Sequence, residues 1–256
     1  MGVEHKVLRG ALKGALNLLY PPQCPGCGDP VATASSNGGD LCPQCWRDMH
    51  FITGCFCGRC GAPLPDDGTG LRDESLLCDD CLRVDRPWRQ GRAAFVYKGT
   101  GRKLVLALKH GDRPDLGPPL ANWLAQVSRP LIRKGMIVAP VPLHMRRLLK
   151  RRYNQAGLIS RGLAISHGVQ HLPNLLRRTR HTPPQDHRSA RDRFANLQDA
   201  VAVNPRLRGL LQGRAVLLVD DVMASGATLS ACAKALLDAG SGPISVAVLA
   251  RAVKDD

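Results

Sequence analysis

Four Cys-x-x-Cys pairs, Cys24/Cys27, Cys42/Cys45, Cys57/Cys60 and Cys78/Cys81, stand in the first third of this 256-residue chain and decide how that third can fold. The spacing lets two thiolates from one tight turn grip one ion, and Gly26, Gly28, Gly58 and Gly61 suit such turns. Eight ligands make two tetrahedral sites of four thiolates each. Such sites leave no coordination position open, so their role is structural rather than catalytic. Zinc is the usual occupant of an all-thiolate site, although an iron–sulfur cluster uses the same ligands. Consecutive pairing, Cys24/Cys27 with Cys42/Cys45 and Cys57/Cys60 with Cys78/Cys81, is expected; a cross-braced arrangement would interleave the pairs. Cys55 has no partner in the pattern and reads as a spare thiol, the sharper reading being an alternative ligand.

Outside that module the only cysteine is Cys232, and the stabilising rule changes. Residues 24–81 are rich in Gly, Pro, Asp and Cys and lack long apolar runs, so they cannot build a core alone. Residues 83–92 read as the connection onward. A strand is expected at residues 93–97 and helices at 101–108 and 116–127. Then apolar runs at 136–141, 172–176, 215–219 and 244–249 alternate with helical patterns at 154–166 and 229–239. Apolar strands alternating with helices predict an α/β fold, a doubly wound parallel sheet whose ligand site lies at the carboxyl ends of its strands. The expected organisation is residues 1–22 with an amphipathic helix at 3–19, which packs on the protein's own body or, as the alternative, on a membrane surface, then a cysteine module in 23–90 and the α/β domain in 91–256.

Within the α/β half, Val216, Leu217, Leu218 and Val219 run into the acid pair Asp220 and Asp221. Val222, Met223, Ala224, Ser225, Gly226, Ala227 and Thr228 follow, and a helical pattern begins there. Exposed amides at a helix N-terminus form an anion site. Ser225 and Thr228 add hydroxyl donors, Gly226 permits close backbone approach, and the alanines leave room for a phosphate. The carboxylates of Asp220 and Asp221 suit the vicinal hydroxyls of a bound sugar, or a cation. Cys232, on the following helix, reads as a buried thiol.

This segment resembles the PRPP-binding motif of type I phosphoribosyltransferases, which implies that Asp220 and Asp221 hold the ribose hydroxyls and that residues 224–228 cradle the 5′-phosphate. Upstream, Pro140, Val141, Pro142 and Leu143 look like the start of that fold's pyrophosphate loop. The resemblance extends to the ComF family, in which a double zinc ribbon precedes a phosphoribosyltransferase domain. It is carried by the four cysteine pairs, by Leu106-Ala107-Leu108-Lys109-His110-Gly111-Asp112, by Pro140-Val141-Pro142-Leu143-His144, by Arg151-Arg152-Tyr153-Asn154-Gln155, and by Arg180-His181-Thr182-Pro183-Pro184-Gln185. One departure is Arg152, where the family usually has glycine. The resemblance implies a part in DNA uptake during natural competence.

An active transferase of this kind displaces pyrophosphate from the anomeric carbon of PRPP by a nitrogen nucleophile, with magnesium bridging pyrophosphate and ribose hydroxyls. Candidate phosphate contacts are Lys109, Arg146, Arg147, Arg151 and Arg188, and residues 182–193, with Gln185, His187 and Arg188, are the candidate closing loop. A formal net charge of +15 favours polyanionic partners. The alternative is therefore a catalytically inactive scaffold or sensor, binding single-stranded DNA through Arg146, Arg147, Lys150, Arg151, Arg152, Arg177 and Arg178, or docking a DNA-translocating ATPase through its ribbons. No apolar stretch approaches the ~20 residues that span a bilayer. A cytoplasmic location is expected.

Overall fold

The computed structural model describes residues 21–31, 41–65, 74–143, 148, 152–179 and 200–253. The helix expected at 3–19, the loop at 182–193 and the side chains of Arg146, Arg147, Lys150, Arg151 and Arg188 lie outside the described residues.

The core is a five-stranded, wholly parallel sheet in the order β1-β7-β6-β2-β3. Its strands are β1 (Gln90–Val96), β2 (Ile137–Pro140), β3 (Gln170–His171), β6 (Val216–Met223) and β7 (Ile244–Arg251). Side chains alternate along β6, and both faces are buried. Val216 and Leu218 enter one apolar cluster, Leu217 and Val219 the other. That explains the continuous apolar run in the sequence.

Two short helices, α1 (Pro43–Arg47) and α2 (Asp79–Arg83), belong to the cysteine module, where each carries one ligand. One face of the sheet is covered by α3 (Gly99–His110), α4 (Gly117–Ser128) and α5 (Gln155–His167), through Leu104, Leu108, Leu120, Leu124, Ile159 and Leu163. The other face holds α6 (Ala227–Asp238) and a two-stranded antiparallel ribbon, β4 (Leu176–Arg178) with β5 (Val201–Val203). The second half of the cysteine module joins this face, since Cys57, Cys60 and Cys81 share a cluster with Trp88, Leu218, Leu229 and Cys232.

Two expectations need correction. Residues 172–176 are not a strand of the main sheet. Pro173 has no amide to donate, so pairing stops after His171 and the chain resumes in the separate β4–β5 ribbon. Residues 83–92 are not all connection, because β1 already begins at Gln90, with Gly91 against Val246 and Arg92 against Ala247. Trp88, ahead of the strand, is buried in the core.

Candidate functional site

β6 delivers the acid pair to the carboxyl end of the sheet. Three residues past the end of β6, Gly226 adopts a left-handed conformation (φ 76°) as the N-cap of α6, turning the chain directly from strand to helix. A side chain there would be strained, and its Cβ would stand 2.9 Å from Arg86 Nη1 and 3.3 Å from the Trp88 ring. Gly226 is therefore required both by the turn and by close packing beneath it. The Ala227 amide donates to Ser225 Oγ (3.4 Å), a weak local cap.

The Asp221 amide donates to Asp220 Oδ1 at 2.9 Å. Burial, followed by repulsion from the Asp221 carboxylate, pushes Asp220 up to about 7, against the pull of Lys109 and Arg178. Lys109, near the end of α3, sets its Nζ 2.9 Å from Asp221 Oδ1. Of the expected phosphate contacts, Lys109 thus reaches the acid pair itself. Burial also raises the Cys232 thiol well above its ordinary range, with the Asp220 charge adding to the effect, so the buried-thiol expectation fits.

The end of α3 is clasped by the residues that open α5. Tyr153 Oη and Gln155 Nε2 both donate to the Leu108 carbonyl, at 2.7 and 3.4 Å. Asn154 Nδ2 donates to the Val141 carbonyl (3.1 Å), and the Val141 amide to the Val219 carbonyl (2.8 Å). Pro140, Val141, Pro142 and Leu143 therefore leave the sheet beside the residue preceding Asp220. Two residues join the site that sequence patterns missed. Arg86 Nη1 donates to the Ser225 carbonyl (2.6 Å), and Arg251 Nη1 to the carbonyls of Ala224 (2.8 Å) and Met223 (3.2 Å). The signal for Arg251 was a lone cation ending an apolar strand. For Arg86 it was an arginine beside Trp88 just past the last cysteine pair.

The eight paired cysteines form two groups, Cys24/Cys27/Cys42/Cys45 and Cys57/Cys60/Cys78/Cys81, with the sulfur atoms of each group all within 4.8 Å of one another. This is the consecutive pairing. Metal–sulfur bonds of ~2.3 Å in a tetrahedron place thiolates about 3.8 Å apart. Cys27 and Cys42 are 3.7 Å apart, and Cys60 and Cys78 3.6 Å. The cages suit single zinc ions, whereas a cluster of several irons needs a wider span. Cys55 belongs to neither group.

Residues 15–82 match a family model described as a double zinc ribbon domain, and residues 166–255 one described as a phosphoribosyl transferase domain. The chain is 31% identical to DNA utilization protein YhgH of Salmonella typhimurium over 239 residues, covering 91% of this chain and 99% of that protein. It is 30% identical to competence protein F of Haemophilus influenzae, covering 83% and 90% of the two chains. The chain belongs to the ComF family. A more distant relative, competence protein ComFC of Bacillus subtilis, is 23% identical over 78% of this chain and 79% of its own. The ComF assignment accounts for two structural zinc sites joined to a phosphoribosyltransferase-type parallel sheet. Arg152 has φ 64°, a left-handed conformation that glycine adopts without strain and a residue with a side chain does not. Among the described residues, no helix is long and apolar enough to cross a membrane.

Proposed function

We propose that this site binds PRPP or a related ribose 5-phosphate together with magnesium, and that the protein works in the cytoplasm in DNA uptake; its relatives are named for DNA utilization and for competence. The observation that carries the reading is the placement of the acid pair. Asp220 and Asp221 lie near the carboxyl end of a parallel strand, with two residues between them and the small-residue loop that opens a helix, and beside the turn that leaves β2. The 5′-phosphate would lie on the amides and hydroxyls of Ala224, Ser225, Gly226, Ala227 and Thr228, and the ribose hydroxyls on Asp220 and Asp221. The pyrophosphate would face Pro140, Val141, Pro142 and Leu143.

The acid pair fits a divalent cation. Lys109 pairs directly with Asp221 alone, and burial followed by repulsion from Asp221 pushes Asp220 toward neutrality, a penalty that bound divalent charge would relieve. Magnesium, when bound, neutralises the pyrophosphate as a leaving group. This chain's residues orient the ribose, and Lys109 keeps Asp221 compensated until the ligand arrives. Transfer would then move the ribosyl carbon from pyrophosphate to a nitrogen nucleophile.

The test is calorimetric titration of the zinc-loaded protein with PRPP and magnesium beside Asp220→Asn/Asp221→Asn. Binding by the parent and its loss in the variant is the expected result. No binding by a folded parent would overturn the reading in favour of a scaffold that grips single-stranded DNA or a DNA-translocating ATPase.

A further inference from the structure

The carbonyls beneath the phosphate loop are held by two buried guanidinium groups, and each is tied to a different knuckle of the second cysteine cage. Between Cys57 and Cys60, the Gly58 carbonyl accepts from the Gly91 amide (2.9 Å) and the Arg59 carbonyl from Trp88 Nε1 (2.6 Å). A Cβ on Gly91 would stand 2.4 Å from the Arg59 oxygen, so this knuckle lies directly on the chain entering β1. Arg59 Nη1 in turn donates to the Arg86 carbonyl (3.2 Å), and the Arg86 guanidinium lies 5.6 Å from the Trp88 ring centroid. Arg86 is 4% exposed and ends on the Ser225 carbonyl. Between Cys78 and Cys81, Asp80 pairs with Arg251 Nη2 at 3.5 Å; Arg251, 3% exposed, ends on the Ala224 and Met223 carbonyls.

A loop whose carbonyls are engaged from below turns its amides the other way, and amides so oriented form a nest for an anion. The two guanidinium groups also place fixed positive charge under that nest. Buried charges hydrogen-bonded to carbonyls act without reorganising when the ligand arrives.

We propose that Arg86 and Arg251 are positioning residues through which the second zinc site, and not the first, holds the phosphate loop in its binding shape. The ligand half of this statement rests on the ribose-phosphate reading above. The loop half does not, since it concerns the order of residues 224–228 in the free protein. The first ribbon meets other elements: its Asp48 carboxylate accepts from Thr100 Oγ1 (2.8 Å) at the start of α3, and the His50 carbonyl from the Val96 amide (2.8 Å).

Two measurements on the full zinc-loaded chain test the proposal: backbone amide order parameters over residues 224–228, with residues 216–219 as an internal control of the fold, and calorimetric affinity for Mg-PRPP. Arg86→Met is expected to lower the loop's order parameters from the rigid range near ~0.85 to below about 0.6 and weaken PRPP at least tenfold while residues 216–219 stay rigid. Arg86→Lys, which keeps the charge but loses the fork, should recover part of both effects. Cys78→Ser should loosen the same residues, and Thr100→Val, at the first ribbon's contact, should leave them unchanged. Unchanged loop order in Arg86→Met, or equal loosening by Thr100→Val, would overturn the proposal. A parent that fails to bind PRPP while its loop responds as expected would sink the ribose-phosphate reading and leave the coupling standing.

Discussion

The two cysteine cages use the same ligand spacing and do different work, because they pack against different parts of the sheet. In the first, Cys27 is exposed and Cys42 half-buried, and the contacts run to the tip of β1 and the beginning of α3. An aromatic chain, Trp46 on Phe51 (5.0 Å) and Phe51 on Trp123 (5.3 Å), seals it at one side of the fold. In the second, Cys57 and Cys60 are fully buried and share a cluster with β6 and α6. That ribbon takes part of the place a helix would occupy on a doubly wound sheet, covering apolar strand residues it could not have buried alone. A motif therefore fixes how an ion is held, while the surface beneath it decides what the ion stabilises.

The largest expected effect tests this contrast directly. Binding of a structural zinc is folding free energy, on the order of 10 kcal/mol in isolated fingers. Loss of the second ion should expose core residues of the sheet, whereas loss of the first should open a local unit at its edge. Cys78→Ser is expected to lower the melting temperature by at least about 10 °C, roughly 3 kcal/mol at 2–4 °C per kcal/mol, with Cys27→Ser costing less than half as much. Metal content by mass spectrometry would verify that one ion has gone in each case. Equal losses would break the comparison.

Titration sharpens it next, because the strand that leads into the loop above the second ribbon carries a carboxyl group with a raised pKa. Asp220 titrates at about 7 in the folded chain against 3.8 for the ordinary group. The native state therefore binds more protons than the unfolded state between those values. This contribution to stability is complete below pH 3.8 and is lost as the pH rises through 7, at most about 4 kcal/mol. Asp220→Asn should flatten the fall in stability between pH 4 and 7.5 measured by urea unfolding. In the parent, affinity for Mg-PRPP should rise over the same interval as the carboxylate charges. A variant with the parent's slope would show that the acid pair is not the source.

How much of this could be read beforehand follows from sequence distance. The cages were legible because each knuckle is four residues long, and β6, the acid pair, the loop and α6 because they are contiguous. The pairing of Asp221 with Lys109 was not, nor was the bond from Arg86 to Ser225, which joins residues 139 apart. Periodicity carries no information on such contacts. The misread segment at 172–176 has another cause: Leu175 and Leu176 are buried, as an apolar run predicts, but Pro173 and Asn174 interrupt the hydrogen bonding that a strand needs. Burial was right and pairing was wrong.

A smaller effect probes the first ribbon alone. Thr100 is 1% exposed and donates to Asp48, so Thr100→Val leaves that carboxylate short of a partner and should cost about 1 kcal/mol in urea unfolding. The comparison requires that PRPP affinity stay the same. A tenfold loss would mean that the first ribbon also governs the site, through α3 and Lys109.

The smallest expected effect concerns Arg152, whose side chain pairs with Asp112 beyond the end of α3 and with neither ribbon. Its left-handed backbone costs a side-chain-bearing residue roughly 1 kcal/mol, and an exposed ion pair returns less than that. Arg152→Ala keeps the strain and loses the pair, while Arg152→Gly loses both but adds freedom to the unfolded chain. Glycine should therefore exceed alanine by about 0.5 kcal/mol in urea unfolding. That difference should be the same in the Cys78→Ser background, because the turn draws on neither cage. If it changed there, the influence of the second ribbon would reach beyond the loop it touches, to the Tyr153–Leu108 clasp that holds Lys109 against the acid pair.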